Sequence, residues 1–390
     1  MKIQPTVFAQ LLQQLPLSHF EHLVDVHRAN HGVRGFTAHA HLVCLLYAQL
    51  TRRDGLRDLV ACLNAQQGKL YHLGLRQRLS RSTLADACER RASGLFEDLA
   101  ARLMQMALQA TAHEEQPIAL TESLYALDST TISLCMSLFP WAKFRRHSSA
   151  VKVHTAIELR SAIPVIIRIT QARTADVRML DEMVLPAGSI VVMDRAYVDY
   201  ARLYAIVRTG SSFVTRAKES MVFRTCDDKG IDAQAYAQGV RSDLRIELSL
   251  ASAASSYPQQ LRRVRYIDPD TLRELVFLTN RQDLPAQVIA QIYKQRWKVE
   301  LFFKWLKQNL NVKHFFGTSE NAVKSQIWAA ICAYLLVLIT HRALKLDISL
   351  HTLMHLIETT LFDRIDITQL VLAATQLDEI ELSHDQSELF

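Results

Sequence analysis

Apolar residues recur at three- and four-residue steps in the segments HAHLVCLLYAQL (39–50), GLRDLVACLNA (55–65) and TLADACERRASGLFEDLAARLMQMALQA (83–110). That spacing puts them on one face of an α-helix. The chain to about residue 112 therefore reads as helical, with Ser82 as the expected N-cap of the third segment. From residue 120 the texture changes. LYALDSTTISL (124–134), VKVHTAIELR (151–160) and IPVIIRITQA (163–172) alternate, carry β-branched residues and predict strands. SIVVMD (189–194) is a continuous apolar run of the kind found in buried parallel strands, and SSFVTRA (211–217) predicts one more. DVRMLDEMVL and DYARLYAIVRTG, between these strands, read as helices. Neighbouring strands followed by a strand–helix alternation predict a mixed sheet flanked by helices.

Between about 218 and 284 the alternation is interrupted by a polar stretch with strand candidates at 244–250, 261–267 and 273–280, a β-rich insertion. A long helix is expected over 284–310, a buried one over 321–345 and another over 348–361. The stretch 375–390 carries Asp378, Glu379, Glu381, Asp385 and Glu388 with no Lys or Arg, and reads as a solvated end.

The 390 residues are 49% hydrophobic and 22% charged, an ordinary globular composition that excludes wholesale disorder, collagen and a disulfide-rich miniprotein. At roughly 150 residues per domain the length predicts two or three domains. The net charge of +6 permits a polyanionic partner without demanding one. Cys44, Cys62, Cys88, Cys135, Cys226 and Cys332 are scattered, so free thiols are expected, not a zinc site. No signal-peptide core opens the sequence, and the apolar run from Ile327 to Thr340 is short for a bilayer span. A soluble, intracellular protein with no membrane partner is the expectation.

Three places carry candidate chemistry. Asp128 lies inside an apolar strand and Asp194 ends another. On the helix after Ala286, the residues Tyr293, Arg296, Glu300 and Lys307 fall within a ~60° arc at ~100° per residue. A solvated polar stripe with local Arg–Glu support would account for Arg296 and Glu300 but is indifferent to Tyr293 and Lys307. Lys294, Lys298, Lys304, Lys307 and Lys313 join Arg296 against Glu300 alone, a strongly basic helix suited to phosphate contacts. Trp297, Trp305 and Trp328 read as core residues. Arg145, Arg146 and His147 form either a DNA-contacting loop or a solvated turn, and the Arg-rich N-terminal helices are a candidate DNA-end reader.

The pattern Y-x2-R-x3-E-x6-K at Tyr293, Arg296, Glu300 and Lys307 resembles the signature of the insertion-sequence-four family of bacterial transposases. ALDSTTISL with Asp128 and VVMDRAYVDY with Asp194 resemble that family's two preceding acidic blocks, in the same order. The resemblance implies a ribonuclease H-like α/β core interrupted by the β-rich insertion. Asp128, Asp194 and Glu300 would then be the catalytic and metal-binding triad, holding two Mg²⁺ or Mn²⁺ ions. Three carboxylates brought together need such a cation, and hard oxygens suit it. It implies phosphate binding by Tyr293, Arg296, Lys307, Lys298 and Lys304, with Lys152, His154 and Arg195 as auxiliary candidates.

The implied domains are 1–115 (helical, transposon-end binding), 116–217 with 285–345 (catalytic core), 218–284 (insertion) and 346–390 (C-terminal helices and tail, a candidate dimer contact). The implied activity is metal-dependent cleavage of terminal inverted repeats and strand transfer into target DNA, by cut-and-paste through a hairpin. Its partners are double-stranded DNA and a second copy of the chain, in the bacterial cytoplasm at the nucleoid. Hairpin-forming relatives place a tryptophan in the insertion, whereas this insertion has Tyr236, Tyr257 and Tyr266 and no Trp. A ribonuclease H-like nuclease that does not join strands, and a catalytically silent DNA-binding protein, are the alternatives.

Overall fold

A computed structural model describes residues 4–111, 118, 120–146, 148–309 and 314–375. His147, Lys313 and all but the first residue of the acidic end at 375–390 lie outside them. The chain forms two compact units.

One unit, drawn from Glu114–Ser133 and Lys143–Phe303, is built on a ten-stranded sheet. Its strands are β1 (Leu124–Leu134), β2 (Lys143–Arg145), β3 (Ser148–Glu158), β4 (Ile163–Gln171), β5 (Ile190–Met193), β6 (Ser212–Arg216), β7 (Phe223–Asp228), β8 (Val240–Leu248), β9 (Leu261–Ile267) and β10 (Glu274–Thr279). They lie in the order β2-β3-β1-β5-β6-β10-β9-β8-β7, with β4 also paired to β3. β1, β5 and β6 are mutually parallel neighbours, while β3–β4 and the run from β6 through β10 to β7 are antiparallel. A first strand between a β3–β4 antiparallel pair and two parallel strands is the ribonuclease H-like arrangement. The mixed sheet predicted from the pattern is therefore present. The insertion continues that sheet, because β10 pairs with β6 from Phe277↔Arg216 to Thr279↔Val214.

The strands form where they do for simple reasons. β5 is flanked on both sides, so all four of its residues are buried and apolar. β1 is buried over Leu124–Leu127 and then opens towards solvent from Asp128. Beneath the sheet, Leu127, Met193, Tyr197, Leu203 and Phe213 share one apolar cluster with Ile246 and Leu261 of the insertion. β7, with the sequence FRTCDD, is exposed along nearly its whole length as an edge strand, and no apolar alternation announces it.

The other unit is helical and drawn from Met1–His113, Leu134–Ala142 and Lys304–Phe390. Its centre is the helix Glu320–Ala343, apolar all round and long enough by length and composition to cross a membrane, with its most apolar window 94% buried inside the protein. It packs against the helices Ala38–Leu50 and Gly94–Ala110. Ser319 caps its start by accepting from the Ala322 N–H. The expected core segment 285–345 is thus shared between the units, dividing at Lys304, because this helix buries its surface on other helices.

Three local expectations change. The segment 83–110 is two helices, Arg81–Arg90 and Gly94–Ala110, and the first is capped by Ser80, not Ser82. The helix expected over 284–310 is also two, Ala286–Lys294 and Trp297–Asn309, joined by a turn at Gln295–Arg296. Arg296, Lys298 and Val299 there donate three residues back instead of four, tightening the chain as a 3₁₀ turn does. Third, Trp297 is 50% exposed, against its expected place in the core, because this turn re-aims the second helix. Trp328 is buried as expected.

Candidate active site

The sheet brings the first two acids together. In the parallel β1–β5 pair Leu127 lies opposite Met193, so Asp128 and Asp194 each follow one residue beyond the same register point. Adjacent strands lie about 4.8 Å apart, so the two carboxylates emerge side by side where the sheet opens. The Asp194 carbonyl accepts from Thr215 Oγ1 of β6 at 3.2 Å, which fixes the turn beyond β5.

The helix pair supplies the rest. Arg296, in the turn, donates from Nη1 to Asp128 Oδ2 at 2.8 Å and from Nη2 to Glu300 Oε1 at 2.6 Å. Tyr293, almost fully buried against Phe277, donates its hydroxyl to Asp194 Oδ1 at a long 3.4 Å. Asp128, Asp194, Glu300, Tyr293 and Arg296 therefore form one constellation. Burial pushes the Asp128 carboxyl above its usual range, and the negative charges of Glu300 and Asp194 push it the same way. The Ser129 N–H and the Arg296 guanidinium oppose that rise. Burial works against the charge on Arg296, yet the attraction of Tyr293, Asp128 and Glu300 raises its pKa overall. Mutual repulsion among carboxylates is thus balanced by one half-buried guanidinium.

A second layer stands behind Asp128. The Ser129 N–H donates to Asp128 Oδ1 at 2.8 Å and the Ser129 hydroxyl to Asp176 Oδ1 at 2.6 Å. Lys152 Nζ lies 3.1 Å from the same Asp176 oxygen and also donates to the Thr174 carbonyl. His154 is fully buried beside them, bonded through Nε2 to Thr170 Oγ1 at 3.0 Å, with Nδ1 3.5 Å from Asp176 in poor alignment for a hydrogen bond. Burial pushes the His154 pKa down to about 4, so the ring is neutral at pH 7. Tyr197, buried next to this layer, has its hydroxyl pKa raised by burial and by Asp176 and Asp128. Ser129, Asp176 and Tyr197 were not singled out from the sequence. Only Ser129, beside Asp128, offered a signal, since Asp176 joins the site through tertiary contact alone.

The remaining candidates are dispersed. Lys298 donates to the Leu159 carbonyl at 2.8 Å, which anchors the helix to the end of β3. Lys294 pairs with Asp268 at 2.9 Å, so the basic helix is partly neutralised. Arg195 follows Asp194 but pairs with Glu219 on the surface. Lys304 and Lys307 lie further along the helix Trp297–Asn309.

Among the described residues no three His, Cys, Asp or Glu side chains converge as a ready-made metal site. The donor set nevertheless fits a hard divalent cation, because Asp128, Asp194 and Glu300 offer carboxylate oxygens only. Among the described residues Asp128 and Glu300 share one cationic partner, Arg296, in the place where a cation's charge is needed.

Residues 119–336 match the family model of the transposase DDE domain, and residues 3–76 match a domain of unknown function. A protein named as transposase y4zB in Sinorhizobium fredii is 32% identical over 287 residues, which is 73% of this chain and 78% of that one. A protein of Geobacillus stearothermophilus named as a transposase for the insertion sequence element IS5377 is 30% identical over 70% of each chain. Among solved structures, a piggyBac transposase synaptic complex with hairpin DNA aligns with a TM-score of 0.45 at 8% identity, covering 96% of this chain and 81% of that one.

Proposed function

The chain belongs to the family of transposases with a DDE domain, and on that premise we propose that Asp128, Asp194 and Glu300 are its catalytic triad. Membership implies DNA as the substrate and a divalent metal ion as cofactor. The finer reading is a member of the insertion-sequence-four family, with Tyr293, Arg296, Glu300 and Lys307 as its signature residues. It excises its element at the terminal inverted repeats through a hairpin and joins it to target DNA. The observation that carries this reading is the meeting of Asp128, Glu300 and Asp194 around Arg296 and Tyr293, from elements far apart in the chain.

The three carboxylates would hold Mg²⁺ or Mn²⁺, two ions in all, whose chemistry when bound is to polarise the scissile phosphate and favour the attacking oxygen as its anion. The protein's own groups prepare that place. Arg296 pairs with Asp128 and Glu300 at short range and fixes their rotamers. Tyr293 holds Asp194 from the other side with a neutral donor. Lys304 and Lys307 offer point charges to phosphates flanking the scissile bond, while Lys298 steadies the helix through Leu159. Lys152 and His154 act through Asp176. The helical residues 1–115 bind the element's ends, the C-terminal segment 346–390 joins two copies, and the reaction takes place in the bacterial cytoplasm.

The test is cleavage of linear DNA carrying the element's own terminal repeats, with Mg²⁺ or Mn²⁺, by the wild type and by Glu300→Gln. Metal-dependent nicking at the repeat boundary followed by joining, lost in the variant, is the expected result. Cutting that survives in Glu300→Gln would overturn the triad. Cutting without joining by the wild type would favour a nuclease.

A further inference from the structure

Two adjoining open cavities lie in the helical unit. They share Gly35, Phe36 and Thr83, and measure about 520 and 250 Å³. Arg28, Arg34 and Arg90 line the first, and Arg76 and Arg78 line the second. Asp86 is the one carboxylate on either wall among the described residues. Some arginines elsewhere pair with acids, as Arg52 does with Glu358, Arg202 with Asp181 and Arg262 with Asp243. Among the described residues, none of the five cavity arginines has a carboxylate partner.

The wall between them is built, not frayed. Arg91 is 7% exposed and ties the ends of the loop before the helix Ala38–Leu50, donating from Nε to the Ala29 carbonyl and from Nη2 to the Phe36 carbonyl, both at 3.0 Å. Its Nη1 is buried beside the cavity with no hydrogen-bond partner. Asn30 Oδ1 accepts from the Ala38 N–H at 2.7 Å, closing the loop onto the helix, and Gly32 turns its tip with φ +71°. Five guanidinium groups over two joined cavities, with Asp86 as the one carboxylate lining them among the described residues, leave an excess of positive charge that an anion would cover. Their planar forks match phosphate oxygens two at a time, and two joined cavities exceed the space one phosphate fills.

We propose that this double cavity seats the phosphodiester backbone of duplex DNA, with Arg28, Arg34 and Arg90 on one group of phosphates and Arg76 and Arg78 on the next. The proposal rests on the transposase reading and adds to it a defined contact surface remote in sequence from the triad. Because the arginines meet phosphates, they supply affinity and salt dependence without reading bases.

The experiment uses the full chain, the double variants Arg34→Ala/Arg90→Ala and Arg76→Ala/Arg78→Ala, and Glu300→Gln as a control. Arg91 is left intact because it holds the loop, and thermal melting checks that each variant is folded. Fluorescence anisotropy measures binding to a duplex bearing the element's end and to an unrelated duplex of equal length, from about 50 to about 200 mM salt. Each double variant is expected to weaken both duplexes alike, about tenfold, and to reduce the salt slope by about 1 for every phosphate it no longer neutralises. Glu300→Gln is expected to keep the wild-type slope while losing cleavage. Wild-type affinity and slope in both double variants would overturn the groove while leaving the transposase reading intact. Weakening confined to the element-end duplex would overturn it too, in favour of base reading. A wild type that neither binds nor cuts DNA would sink both readings together.

Discussion

Arg296 Nη1 lies 2.8 Å from Asp128 Oδ2, across 168 positions of sequence. The same guanidinium reaches Glu300, so one cation holds two carboxylates that would otherwise repel. Removing it exposes Asp128 to the full effect of its burial and of its acidic neighbours. Arg296→Ala is expected to slow single-turnover cleavage by about 100-fold or more, the scale of losing a preorganised charge of about 3 kcal/mol. DNA affinity should change only a few-fold, since the proposed phosphate contacts include many other cations. Arg296→Lys should recover part of the rate, because a point charge cannot make both bonds in one plane. Wild-type rates in Arg296→Ala would show that the bridge is incidental.

Asp176 acts on the site through Ser129. Its carboxylate accepts from the Ser129 hydroxyl, whose own N–H holds Asp128, and Lys152 balances its charge. Asp176→Asn keeps the shape and removes the charge. It is expected to raise the metal concentration needed for half-maximal cleavage about tenfold, the range seen when groups behind a metal ligand are changed. Ser129→Ala should do the same, and the double variant should be no worse than the single ones, because both weaken one chain of hydrogen bonds, Asp176→Asn by removing its charge and Ser129→Ala by breaking it. Additive effects, or a lower maximal rate with an unchanged metal requirement, would count against this coupling.

Much of this site is legible in the sequence, for reasons that also mark where reading stops. Asp128 and Asp194 stand out because each interrupts or ends an apolar run, and the parallel register then sets them side by side. Tyr293, Arg296 and Glu300 stand out by spacing, but the angles assumed one unbroken helix. The turn at Gln295–Arg296 puts Arg296 between two acids and leaves Trp297 half exposed, and neither follows from periodicity. Asp176 sits in a short polar segment and gains its role only when β3 carries Lys152 and His154 to it. Likewise β7 is invisible to pattern because an exposed edge strand needs no apolar face.

The insertion carries its own stability test. Arg262, 2% exposed, donates from Nε and Nη2 to both oxygens of Asp243 at 2.8 and 2.7 Å. It also donates to the carbonyls of Arg281 and Leu284, which ties the β8–β9 pair to the chain leaving β10. Asp243→Ala leaves that guanidinium buried without its counter-charge and is expected to cost about 3–5 kcal/mol. Urea unfolding should register this as a lower midpoint. A paired Asp243→Leu/Arg262→Met replacement removes both charges and should regain most of that stability. A midpoint within experimental error of wild type for Asp243→Ala would mean that water reaches Arg262.

Acid should loosen each unit through one buried histidine. His41, in the helical unit, packs between the rings of Phe36 and Phe96 and faces Arg91, and burial followed by that positive charge drives its pKa down to about 3. His154, in the sheet unit, faces Asp176 and Lys152 and is lowered to about 4, chiefly by burial. In the unfolded chain both return to about 6.5. Between pH 6.5 and about 4 the unfolded state therefore binds more protons than the folded state, so stability falls as pH falls through that window. Above pH 6.5 both rings are neutral in either state and contribute no slope. Each histidine adds up to about 1.4 kcal/mol per pH unit inside the window. Urea midpoints measured from pH 7.5 to 4.5 should stay level and then drop below pH 6.5. His154→Gln, which keeps a donor towards Thr170, should make that drop shallower. An acid limb of unchanged steepness in His154→Gln and in His41→Met would assign the effect to the carboxylates instead.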